Sequence, residues 1–242
     1  MMRTGNPALS GNVFSGVSDS YEGSMTMTIG GTVNKTLVLL LLTLLTASWA
    51  WGRPVSGINL IFPAAITGFI AALITIFKKE WSMITAPLYA LIEGVLLGGI
   101  SIFFEKAYPG IAFQAVALTF GVLFCMLIAY KSGLIRATDK FKLGIVAATG
   151  AIALIYFVSI ILSFFSIRVP VIYGSGPVGI AFSLIVVGIA ALNLVLDFDF
   201  IEQGANSGAL KYMEWYAAFS LMVTLIWLYM EILRLLSKLR NR

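Results

Sequence analysis

Seven long apolar runs, joined by short polar or basic connections, limit this chain more than any motif does. Crossing a bilayer takes about 20 residues of helix, and the runs approach or exceed that length. A closed barrel would need segments of ~10 residues with alternating polarity, and that alternation is absent. Composition agrees: 60% of residues are hydrophobic and 11% charged, where a soluble domain carries about 25% charged residues. Mean hydropathy is +0.97. The expected fold is all-α, a polytopic integral membrane bundle of seven transmembrane helices.

The pattern divides into a polar N-terminal tail at 1–33, rich in Gly, Ser, Thr and Asn, and a transmembrane domain at 34–242. A tail of that length ahead of the first apolar run is not a secretory n-region. The expected spans are 36–51, 58–77, 82–104, 111–130, 143–165, 178–198 and 212–236. Pro54, Pro63 and the Gly174, Ser175, Gly176, Pro177 breaker punctuate them. In the third span Gly94 and Gly98 form a small-xxx-small pair, which lets helix backbones approach closely. Cys125 lies in an apolar run and reads as a structural, membrane-buried thiol; as the only cysteine, it excludes an intrachain disulfide.

Loops on the N-terminal side hold Arg3, Lys35, Lys78, Lys79, Lys131, Arg136, Lys140, Lys142 and Lys211; the opposite loops hold Arg53, Lys106 and Arg168. The positive-inside rule makes the N-terminus cytoplasmic, in the inner membrane if the source is bacterial. Seven spans then put Lys238, Arg240 and Arg242 outside, unless the last segment is re-entrant and returns. The net charge of +5 fits a protein facing anionic lipid and gives no sign of a nucleic-acid partner.

The chain has no histidine, so any proton chemistry falls to carboxylates. An acid at the centre of a membrane helix costs roughly 2.5–3.5 kcal/mol on insertion scales, which makes Glu93, Asp197, Glu214 and Glu231 the candidates for function. Asp197 and Glu214 flank a Gly/Asn/Ser turn, expected at 203–209, at similar distances and would sit at similar depth in a helical hairpin. Facing each other, they could not both ionise cheaply and would titrate as a unit. They would also offer hard oxygen ligands of the kind calcium prefers. Asn193 precedes Asp197 by one helical turn and shares its face. Asp199 and Glu202 read as facing water. Glu231 has Arg234 at i+3 as a local partner, while Glu93 has no basic residue in its own run.

These residues resemble those of the Bax-inhibitor, or YccA-like, membrane proteins, in particular a bacterial branch. The likeness rests on Asn6-Pro7-Ala8-Leu9, on IEGVLLGGIS in the third span, and on LVLDFDFIEQGANSGALKYMEWYAAF leading to WLYMEILRLL. The resemblance implies seven helices with the last near the centre. It also implies a pH-sensitive calcium leak gated by an acidic pair on the sixth and seventh spans. Asp197 matches the sixth-span member; Glu214 and Glu231 both match the seventh-span pattern, each with Glu where relatives carry Asp.

Two functions follow. One is a proton-gated cation leak, with calcium the permeant ion, no resident cofactor and no catalysis; Glu93 and Asn193 would add polar groups to its path. The other is a non-transporting regulator that binds other membrane proteins, such as a membrane-bound protease. An intramembrane hydrolase lacks its residues, since no Ser, His or paired catalytic Asp constellation is present.

Overall fold

Several of the helices bury small residues and turn large apolar ones outward, whereas the last helix buries large ones. The computed structural model describes residues 26–165 and 169–241; Arg3, the Asn6–Leu9 motif, Arg168 and Arg242 lie outside the described residues. Helix α1 (Ile29–Trp51) is capped by Thr28, whose hydroxyl accepts from the Gly31 amide at 3.0 Å. The helix therefore starts inside the segment read as polar tail. Short α2 (Pro54–Asn59) and α3 (Ile61–Phe77) follow, then a single 3-10 turn (Lys79–Trp81) and α4 (Ser82–Ala107). Next come α5 (Ile111–Lys131), α6 (Asp139–Phe164), short α7 (Pro170–Tyr173), α8 (Pro177–Asn206) and α9 (Met213–Arg240).

Among the described residues six helices are long and apolar enough to cross a membrane; the second expected span is the exception. It breaks at Leu60 into α2 and the 17-residue α3. Pro63 supplies no N–H to the ladder there, which weakens the helix one turn into α3. The all-helical bundle thus has six long apolar helices and one shorter one where seven full spans were expected. On α3, Ala64, Gly68, Ala71 and Thr75 are buried, whereas Phe62, Ile66, Phe69 and Ile70 point out. Lipid tails are as apolar as these side chains, so contact between helices comes from close backbone approach.

The same logic holds α4 against α1. A Cβ on Gly94 would lie 1.9 Å from the Thr46 hydroxyl and 2.3 Å from the Thr43 carbonyl; one on Gly98 would lie 2.7 Å from the Ala47 carbonyl. The expected small-residue contact therefore lies within the bundle. Cys125, by contrast, is exposed. It faces outward from an apolar helix long enough to cross a membrane, not into the bundle.

Helix α9 packs against α1, α4, α5 and α8, and its buried residues recur along its whole length, from Glu214 to Lys238. It is one continuous helix, which removes the re-entrant alternative. The described residues begin and end at opposite ends of the bundle. Met27 donates to the Ala209 carbonyl in the α8–α9 turn at 2.7 Å, and Thr26 bridges Leu210. At the far end Arg240 donates to the Pro109 carbonyl and to Gln114, and Asn241 to Ser175.

Helix α8 continues eight residues past the expected end at Phe198, running through Gly204 and turning only at Gly208. It closes with the Ala209 amide on the Gly204 carbonyl (3.0 Å) and the Gly208 amide on Ala205 (3.3 Å), the paired bonds of a Schellman motif. Gly208 adopts φ +67° to allow this. Gly208→Ala should therefore lower stability by on the order of 1 kcal/mol, read as an earlier unfolding midpoint in detergent. Gly121→Ala, mid-helix with nothing near its Cβ, should not.

Candidate functional site along the central helix

Polar side chains line α9 from end to end and meet residues of α1, α4, α6 and α8. At the N-terminal end, Glu214 is fully buried and accepts from the Thr28 amide and the Thr28 hydroxyl, both at 2.9 Å. Lys35 of α1 pairs with its second oxygen, and Lys211 lies 2.8 Å from the first. Gly31 makes room: a Cβ there would fall 2.1 Å from the carboxylate. The group also sits beside the N-termini of both α1 and α9, where helix dipoles favour negative charge. This is a structural anchor.

Asp197 lies deeper. It is buried, with Oδ1 accepting from the Ser220 hydroxyl at 2.7 Å. Its Oδ2 is the one buried side-chain polar atom without a hydrogen-bond partner among the described residues. Thr224 stands one turn beyond Ser220 on the same face of α9.

The expected Asp197–Glu214 pairing is corrected here. Because α8 runs on to Asn206, Asp197 stands eleven residues before Gly208, whereas Glu214 opens α9. Asp197 is level with Ser220, six residues beyond Glu214, an axial offset of about 9 Å. The two acids have separate partners: Asp197 meets Ser220, and Glu214 meets Thr28, Lys35 and Lys211. Among the described residues no three metal-ligating side chains converge on one point.

Glu231, the other seventh-span candidate, is buried eleven residues beyond Ser220. Arg234 donates to both its oxygens at 2.8 Å, and the Tyr156 hydroxyl of α6 donates at 2.9 Å. The local Arg234 partner expected from i+3 spacing is present, and Tyr156 completes the cluster. Asn193 donates to the Thr149 hydroxyl at 2.8 Å and to the Ile189 carbonyl at 2.9 Å. Its partner is α6, not Asp197. Glu93 is buried on α4 with its Oε1 against Gly68 of α3, where a Cβ would fall 2.8 Å away. It thus lies on the side of α4 that meets α3. Asp199 is not simply hydrated, since Lys142 pairs with it at 2.5 Å and Gln203 donates to it. Glu202 accepts from Tyr130.

Sequence reading missed several members of this column. Lys238 was read as an outside tail charge; it is buried and donates to the Gly179 carbonyl (2.9 Å) and the Ser183 hydroxyl (2.8 Å). Ser101 and Tyr229 share a buried hydrogen bond at 2.6 Å between α4 and α9. Ser220 stands directly opposite Asp197. Hydroxyls inside apolar runs were the available signal, but helix phase alone does not say which of them meet.

A search of curated proteins finds no match to the chain. A family model described as Bax inhibitor 1 like matches residues 6–241. That span takes in all of the helices above, the column on α9 and the Asp197–Ser220 contact. The chain belongs to the Bax inhibitor 1 like family.

Proposed function

We propose that this multi-pass membrane protein is a pH-sensitive cation leak channel that passes calcium, with Asp197 as its proton-responsive group. The observation that carries the reading is the unpartnered Oδ2 of Asp197, buried next to the central helix. A buried carboxylate with a single donor is poorly compensated. Adding a proton removes its charge and gives it a donor of its own. Its contacts to Ser220 on α9 then change with the proton, and α9 touches four other helices. The Glu231–Arg234–Tyr156 cluster is the second barrier along the same helix. Charge counting puts the N-terminal end in the cytoplasm, and a bacterial inner membrane is the setting we favour.

The experiment is calcium flux into vesicles holding the purified protein, followed across pH. Wild type should show a pH-dependent leak, and Asp197→Asn should flatten that dependence, because no proton can bind there. Asp199→Asn should leave it in place, since that acid is paired with Lys142 away from Ser220. Wild-type vesicles that pass no calcium at any pH would overturn the leak. The non-transporting regulator of other membrane proteins would then be the better reading.

A further inference from the structure

Helices α1 and α5 both pack on α9 but not on each other, which leaves a trough between them with α9 as part of its floor. Near the N-terminal end of the bundle the trough widens into a cavity of about 750 Å³. Its walls are mostly apolar, among them Val33 and Leu37 of α1, Leu123 and Phe124 of α5, and Leu221 of α9. Along α1 the cavity extends from Ile29 to Leu40, about 16 Å at 1.5 Å per residue. That is close to half of a hydrocarbon core about 30 Å thick, the depth of one leaflet.

The mouth of the cavity is basic. Lys131 and Arg136 line it from the α5–α6 connection, and both are exposed. Neither belongs to an ion pair among the described residues. The acids at the same mouth are engaged: Asp199 pairs with Lys142 and Glu202 accepts from Tyr130. The two free cations therefore stand where a headgroup would rest if an acyl chain filled the trough. We infer that this cavity is a binding site for one anionic phospholipid, with its phosphate on Lys131 and Arg136 and an acyl chain between α1 and α5. Apolar length, position and charge all match that occupant. A soluble anion would have no use for the apolar walls, and a zwitterionic lipid would make less use of the cations.

Native mass spectrometry of the full-length protein in detergent tests this, with phosphatidylglycerol or phosphatidylcholine added. One phosphatidylglycerol should be retained in preference to phosphatidylcholine. The double change Lys131→Ala/Arg136→Ala should weaken its retention on the order of ten- to thirty-fold, in line with the attraction of juxtamembrane basic residues for anionic lipid. It should hardly alter phosphatidylcholine. Val33→Trp, which fills the trough from the half-exposed face of α1, should weaken retention of both lipids. Equal retention of the two lipids by wild type would overturn the site. So would retention of phosphatidylglycerol that the charge changes leave untouched. Should Val33→Trp fail to fold, the charge changes decide alone.

Discussion

Gly94→Ala is expected to separate α1 from α4 and to cost about 3 kcal/mol or more, the upper range for overpacking a tight interface. The added methyl would meet the Thr43 carbonyl at 2.3 Å and the Thr46 hydroxyl at 1.9 Å. The carbonyl belongs to a helix backbone and cannot swing aside as the end of a long side chain would. The Thr43 hydroxyl also donates to the Ala90 carbonyl at 3.1 Å, one turn before Gly94. Pushing the helices apart therefore breaks a buried interhelical hydrogen bond as well. Reversible unfolding in mixed micelles, followed by circular dichroism, measures the loss. Gly150→Ala in α6, where a Cβ meets nothing within 4 Å, serves as control and should be neutral or slightly stabilising. A Gly94→Ala protein as stable as the control would mean that α1 and α4 are not in this register.

The close approach of α1 and α4 was half legible in the sequence. Spacing of Gly94 and Gly98 announced a small-residue face, but not which helix it would meet. The order of the apolar helices and six of the long spans could be read from run lengths, because the bilayer sets those lengths; the division of the second run could not. Pro63 was visible too, yet whether a proline near a span's start kinks, caps or breaks it depends on what packs around it. Here α2 folds over the end of α1, with Gly57 against the Ala50 carbonyl, and the span divides.

The carboxylates were easier to identify than to pair. Composition singled out Glu93, Asp197, Glu214 and Glu231 as costly, and all four are buried. Their partners depended on where α8 ends. Reading the turn as beginning at Gln203 shortened α8 and drew Asp197 level with Glu214. The actual end at Asn206, set by the Gly208 cap, offsets the two acids. A shift of a few residues in one helix boundary thus exchanged an acid–acid contact for an acid–serine contact. Local pairs fared better: Arg234 with Glu231 lies within one turn and needs no tertiary information.

Glu214→Ala should destabilise the protein by about 3 kcal/mol, near the lower end for breaking a buried ion pair. The lower end applies because Lys35 and Lys211 are partly exposed and can turn to solvent when the acid is lost. The Thr28 amide cannot turn away, since it opens α1. Its residue is tied to the α8–α9 turn through the neighbouring Met27 amide on the Ala209 carbonyl. The start of α1, the turn and the start of α9 are therefore held by one carboxylate. Gly31→Ala gives the sharper test. Its methyl would occupy the place of the Glu214 oxygens, 2.1 Å from Oε1, so alone it should destabilise about as much as removing the acid. In the Glu214→Ala background the clash no longer exists, and adding Gly31→Ala should cost little further. A coupling on the order of 1–3 kcal/mol between the two sites is the expected result. The cycle is read from unfolding midpoints of the four proteins in one detergent. Strict additivity would show that Glu214 does not reach the N-terminus of α1, and the anchor would have to be abandoned.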